Sequence, residues 1–447
     1  MPDTDNPTSE AKQVPERPSL DRSGLLQALV RLRPSWLRWA GRGFWALLDQ
    51  ALFAGANFIV GLLLARWLEP KAYGAFSTAF SVFLLIGTLH TALWTEPMLV
   101  YGPGRFGLQF ASYQKILLGY HWRFGVLISS GFLVLGAIFF ALNQRELGVS
   151  FAGLAVAAPL VLYLWIARRG GYVLMEPRLV ALGVGLYLVL YLGIAYILLR
   201  SALLGVFSAF ATMGVAAFFS AQSVFWMLRG RAKSEELVDA QEVRALHWWY
   251  GRWALLAGAL SWVPGNVIFI LLPLFEGLEQ AAHIKALLIL VMPAAQFNTA
   301  VSTLFLPLFV RAKARAAGLK QVLGLAFAVQ VGSALVYFLV LQAFADPLVQ
   351  WLYGGKYSST GLVWLAFTAV LTGATGVFAN LLRALERPNQ VAWIYACTAM
   401  VSLTLGVALV YGYGFAGAVA SLVISNVCLA LGFAATGLAA VALGGRR

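Results

Sequence analysis

Residues 43–52, GFWALLDQAL, and residues 251–260, GRWALLAGAL, agree at seven of ten positions across an offset of 208 residues. A second pair, LMEPRLVA at 174–181 and LERPNQVA at 385–392, is weaker, but its offset of 211 is close to the first. Two matches at nearly one offset predict an internal duplication. In an apolar helical chain, duplication is a mark of transporter folds assembled from structural repeats. If each copy holds six membrane spans, an even number, both copies start on the same side. The repeat is then parallel, its halves related by an axis along the membrane normal.

The composition around these segments agrees. The chain has 447 residues, 61 % apolar and only 11 % charged, with a mean hydropathy of +0.80. A soluble domain carries roughly 25 % charged residues because its surface must face water, so a water-soluble globular enzyme is excluded. Apolar runs of about 20 residues, the length that crosses the hydrocarbon core, are predicted at 44 to 66, 73 to 95, 124 to 142, 147 to 167, 179 to 199, 202 to 228, 253 to 275, 285 to 310, 322 to 345, 361 to 382, 391 to 411 and 415 to 443. The expected fold class is therefore an all-α integral membrane protein of about twelve helices, in two parallel-repeat six-helix lobes. The first 42 residues are polar, so the first apolar run lies too far in for a cleaved signal and is expected to stay as a span.

Charge sets the expected orientation. Of the 32 Lys and Arg, 26 fall on one side of these spans, and only Arg66, Lys71, Arg145, Arg200, Lys285 and Lys356 on the other. Cytoplasmic loops collect Lys and Arg, so both termini are expected in the cytoplasm, and the net charge of +14 reports topology rather than a nucleic-acid partner. The expected domains are a tail at 1–42, a lobe at 43–228, a cytoplasmic linker at 229–252 and a second lobe at 253–447. Within the tail, residues 25–39 place leucines and Trp36 among arginines, the pattern of a basic amphipathic segment on an anionic leaflet. Cys397 and Cys428 lie inside apolar runs, which supports neither a disulfide framework nor a thiolate metal site.

Polar groups at bilayer depth are costly and need a partner or a wet cavity. Span 1 carries Asp49, Gln50 and Asn57, the last two on one face. Asp49 is a charge near the helix N-terminus favoured by the dipole, or is paired with Arg42, or is part of a cavity. His90, near the end of span 2, is either a packing residue or a functional one. Span 7 has Pro264, Gly265 and Asn266 in its middle, a combination that kinks a helix and is tolerated where it lines a cavity. Gln296, Thr299 and Thr303 form a polar stripe on span 8 that faces a helix or a cavity. Arg42 and Arg252 open the repeat-equivalent spans 1 and 7; they either mark topology or receive an anionic substrate. No catalytic motif, cofactor site or metal site is expected, and the four histidines are scattered in sequence.

The segments LLLARWLEPKAYGAFSTAFS at 62–81, LLRALERPNQVAWIYA at 381–396 and YGFAGAVASLVIS at 413–425 together resemble the polysaccharide branch of the multidrug/oligosaccharidyl-lipid/polysaccharide (MOP) exporter superfamily, the Wzx-like O-antigen flippases. The resemblance runs from Gly41 onward; Glu69 stands where the family commonly has Gly. It implies a V of two lobes around a central cavity lined chiefly by spans 1, 2, 7 and 8, as in MATE transporters. It further implies a flippase for undecaprenyl-diphosphate-linked oligosaccharide in the bacterial inner membrane, with membrane lipids and pathway proteins such as a polymerase as partners. A cation-coupled exporter of small molecules on the same fold is the alternative.

Overall fold

The computed structural model describes residues 22–232, 237–314 and 318–444, with side chains from Gly41 onward except at 314, 388 and 442–444. Within these residues every regular element is a helix, the expected answer for a backbone that must satisfy its own hydrogen bonds in lipid. The spans of the first lobe are Gly41–Trp67, Pro70–Tyr101, Gly107–Ala141, Arg145–Val173, Pro177–Arg200 and Val206–Leu228, spans 1 to 6. Span 7 is Ala240–Asn266 followed by Ile268–Phe275, bent by 43° at the break. Spans 8, 9 and 10 are Leu278–Lys313, Leu319–Ala343 and Leu362–Ala384. The expected tail lies outside the residues with described side chains, so its amphipathic face does too; from Arg22 its backbone is helical and continuous with span 1.

The last stretch, Asn389–Val441, is 53 residues long. As one straight helix it would extend about 80 Å, more than twice the hydrocarbon thickness. Gly414 breaks it, with φ 53° and ψ −125°, a left-handed conformation that only glycine adopts cheaply. The Oγ atoms of Ser402 and Ser425, about equally far from that break, meet at 2.8 Å. The stretch is therefore an antiparallel hairpin forming spans 11 and 12, and the helix count reaches twelve.

The duplication predicted from the sequence recurs in the backbone. Left-handed φ values occur at Asn143, Met175 and Ala202 in the first half, and at Gly354, Glu386 and Gly414 in the second, at offsets of 211, 211 and 212. Met175 and Glu386 lie in the weaker sequence match, and each is followed by a helix with proline at its start, Pro177 or Pro388. Proline there has a preset φ and lacks only a donor that the first turn would not use. Successive turns stand 27 to 32 residues apart within each half, so their common offset reflects a repeated six-helix unit.

Candidate functional site

The two halves meet at the end of the bundle away from the termini. Lys356 Nζ donates to the backbone carbonyls of Arg66 and Leu68, both at 2.8 Å, tying the loop before span 10 to the turn between spans 1 and 2. Beside it, Gly74 presses its backbone so closely on Leu278 that any Cβ would overlap the Leu278 carbonyl. Deeper in, Trp262 Nε1 donates to Ser81 O at 3.1 Å, joining span 7 to span 2.

Beneath this closure lies a cavity of about 570 Å³, lined by Phe53 and Asn57 of span 1, Tyr73, Phe76, Phe80 and Phe83 of span 2, Gly265 of span 7, Lys285, Leu288, Met292 and Ala295 of span 8, and Thr368, Thr372 and Asn426 of spans 10 and 12, among others. The size suits a small-molecule ligand or a head group. Its walls are aromatic, with amide and hydroxyl groups, and Lys285 is the sole charged residue in the lining. The Lys285 ammonium lies 5.7 Å from the Phe80 ring centroid and 5.0 Å from that of Phe269. Aromatic faces stabilise a cation without neutralising it. No carboxylate lies within salt-bridge distance of it among the described residues.

Toward the termini the seam between spans 1 and 8 is uncovered. The face of span 8 that lines the cavity at Lys285, Leu288, Met292 and Ala295 continues by helical spacing to Thr299 and Thr303, both exposed. On span 1 the Asn57 face continues to exposed Gln50. The cavity is thus closed at the far end and flanked by open polar faces toward the termini.

A smaller cavity of about 160 Å³ sits nearer the termini, walled by Gln50, Thr91, Thr95, Arg168, Arg169 and Tyr172 and sharing Phe53 and Trp165 with the large one. Asp49 is fully buried beside it. One carboxylate oxygen accepts from Arg168 Nη2 at 2.8 Å and from Tyr172 Oη at 2.6 Å, while the Arg168 guanidinium lies 3.9 Å from the Phe53 ring centroid. Arg169 makes no such ion pair among the described residues, though Asp49 and Glu96 lie within electrostatic reach of it; the charged groups in the lining of the small cavity are the two arginines.

The residues singled out from sequence separate accordingly. Asn57 lines the large cavity and Gln50 the small one. Asp49 pairs with Arg168 rather than Arg42 or Arg252. Asn266 donates to Trp262 O, one turn back in its own helix, and its neighbour Gly265 faces the cavity at the bend. Gln296, Thr299 and Thr303 are exposed; the two threonine hydroxyls bond to carbonyls of their own helix, and the stripe lies beyond the enclosed cavity. Arg42 and Arg252 are exposed, Arg252 over the ring of Trp253. His90 is buried within the first lobe and lines neither cavity. The histidines, scattered in sequence, are not all scattered in space: His90, His121 and His247 gather around one turn of span 2.

Sequence reasoning missed Lys285, Arg168 and Arg169. Span 8 begins at Leu278, seven residues before its expected start, so Lys285 lies about 10 Å inside the helix by its rise of 1.5 Å per residue. Arg168 and Arg169 are covered because span 4 runs on to Val173. An adjacent Arg pair and a lysine bordering apolar runs were visible signals, indistinguishable from topological charges.

No family sequence model matches the chain, and no curated protein matches it. Solved structures do. The inward-facing conformation of a multidrug resistance MATE family transporter of the MOP superfamily superposes with a TM-score of 0.74 at 14 % identity, covering 90 % of this chain and 99 % of that one. An outward-facing conformation of such a transporter scores 0.61, also at 14 % identity, over 92 % and 96 %. The lipid II flippase MurJ in an inward closed conformation scores 0.68 at 11 % identity, over 88 % and 86 %. The chain is a multi-pass membrane protein with a MATE-like fold.

Proposed function

We propose that the protein is a flippase of the bacterial inner membrane, carrying a polyprenyl-diphosphate-linked oligosaccharide from the cytoplasmic to the periplasmic leaflet by alternating access. In this reading both termini are cytoplasmic, the linker 229–252 joins the lobes 43–228 and 253–447, and the closed end is periplasmic. The observation that carries it is Lys285: the lone charged residue lining the central cavity is a cation with no carboxylate partner among the described residues, and a diphosphate supplies an anion for it. Arg168 and Arg169 offer a second cationic station nearer the cytoplasm. Aromatic and amide walls suit a glycan, and the uncovered seam between spans 1 and 8 leaves room for a polyprenyl tail to stay in lipid. The polar residues Arg42, Gln50, Asn57, Arg252, Gln296, Thr299 and Thr303 belong to the approach and lining of this path.

The test is reconstitution of the full chain in liposomes with a fluorescent polyprenyl-diphosphate glycan, flipping being read as loss of protection from a membrane-impermeant quencher. A charge-assisted hydrogen bond contributes about 1.5–3 kcal/mol, so Lys285→Gln is expected to slow flipping by roughly tenfold to 100-fold. Lys285→Arg is expected to retain most of the rate. Flipping by Lys285→Gln at the wild-type rate would overturn the assignment.

The fold likeness to MATE transporters favours a second reading, a cation-coupled exporter of small organic molecules. A cavity without a carboxylate is a poor host for a cationic drug, because a desolvated cation needs an opposite charge. Efflux of cationic dyes by the same liposomes, unaffected by Lys285→Gln, would establish this reading instead.

A further inference from the structure

Span 2 does not run as one α-helix. Residues Thr91–Thr95 form a π turn, and Pro97 follows. Proline has no N–H, so the Leu93 carbonyl, four residues earlier, has lost its α-helical donor. His247, on the first part of span 7, supplies one: its Nδ1 lies 2.7 Å from Leu93 O. A carbonyl only accepts, so Nδ1 carries a proton, and Nε2 shares a hydrogen bond with Tyr113 Oη at 2.7 Å. His247 thus fastens span 7 of the second lobe to spans 2 and 3 of the first.

On the other side of the same turn, His90 Nε2 and His121 Nδ1 are 3.2 Å apart, and both side chains are completely buried. Trp94 and Phe124 pack on His90, and Tyr163 stacks on His121. Among the described residues His90 Nδ1 and His121 Nε2 meet no hydrogen-bond partner; the Pro159 carbonyl lies beside His121. Two neutral imidazoles satisfy this geometry with one N–H and one lone pair. An added proton would create a charge with no carboxylate to meet it. The charged groups around the turn are already committed or of the wrong sign: Asp49 is held by Arg168 and Tyr172, Glu96 accepts from Tyr250, and Arg168 and Arg169 share the small cavity with Thr91 and Thr95. The Tyr163 hydroxyl donates to Gln222.

We propose that the His90–His121 pair is a proton-binding site whose occupancy opens the seam between spans 2 and 7. The packing seen here keeps water from the pair; a conformation that wets the π turn can hydrate an imidazolium. A ligand shifts an equilibrium toward the state that binds it better, so protons favour the open seam. Each proton taken up changes the ratio of the two states by up to about tenfold per pH unit. Through Thr91 and Thr95, the site adjoins the cationic cavity that the proposed substrate head group would meet. It stands on the packing of the π turn and does not depend on what the protein carries.

The experiment uses the full chain in lipid nanodiscs. With 15N-labelled histidine, the imidazole nitrogens are followed by NMR from about pH 8 to about pH 5, the range in which imidazoles titrate. In parallel, spin labels at Gly104→Cys and Lys320→Cys, with Cys397 and Cys428 changed to Ser, report the separation of the lobes. The wild type is expected to take up a proton at the pair and to shift its distance distribution over the same pH interval. His90→Gln and His121→Asn are each expected to abolish that shift while eluting as monodisperse protein, whereas His283→Gln, at the far end on Ser358 O, keeps it. Wild-type His90 and His121 signals that stay neutral throughout would overturn the proposal, as would a lobe shift that survives both substitutions. The wild-type titration decides even if a variant fails to fold.

Discussion

Asp49 and Arg168 form the one ion pair in this structure with both side chains largely withdrawn from solvent, Oδ2 to Nη2 at 2.8 Å with the carboxylate side chain 0 % and the guanidinium side chain 11 % exposed, among the described residues. It links span 1 to span 4 within the first lobe. Breaking a buried pair from one side strands the other charge and costs about 3–5 kcal/mol. Asp49→Asn is therefore expected to lower the thermal unfolding midpoint markedly. The double change Asp49→Leu with Arg168→Met removes both charges and is expected to recover most of that loss. Equal destabilisation by single and double variants would show that the pair is not coupled.

The closure at the far end rests on Lys356. Replacing it with Met deletes two donors to the Arg66 and Leu68 carbonyls, each contributing about 1.5–3 kcal/mol as a hydrogen bond from a charged group. Lys356→Met is expected to shift the population toward a form open at that end. Increased alkylation of Tyr73→Cys by an impermeant reagent, measured against the same cysteine in the unaltered closure, checks it; an unchanged rate would assign the closure to other contacts.

Gly74 tests the same closure by overfilling. A side chain at this position collides with the Leu278 backbone, which a flexible rotamer cannot relieve. Gly74→Val is expected to prevent the far-end contact while leaving the protein folded, so labels at Gln144→Cys and Trp351→Cys should lie farther apart than in the parent. A parent-like distance distribution would mean that the helices slide past one another instead.

The hairpin at Gly414 makes a topological prediction. Reporter fusions after residues 240 and 386 are expected on the cytoplasmic side, and fusions after 280, 355 and 413 on the opposite side. Gly414→Ala has to hold φ near 53°, a left-handed strain of about 1–2 kcal/mol, and its Cβ would meet the Glu276 side chain. It should lower stability without reversing any fusion. A fusion after 413 on the cytoplasmic side would remove the twelfth span.

What the sequence determined by itself follows from short-range physics. Hydrocarbon accepts only apolar helices of about 20 residues, so composition and run length alone marked out twelve spans and the all-α class, and one ten-residue and one eight-residue match at nearly the same offset exposed the duplication. The Pro264-Gly265-Asn266 signal located a bend in span 7, because proline acts on its own helix. Which polar residues meet was settled elsewhere. Asp49 finds Arg168 across 119 residues, Lys285 finds two phenylalanine rings, and His247 finds the Leu93 carbonyl that Pro97 had left without a donor. Along the chain a buried arginine and a loop arginine look alike: the charge is the same, and only the packing of neighbouring helices decides whether water still reaches it.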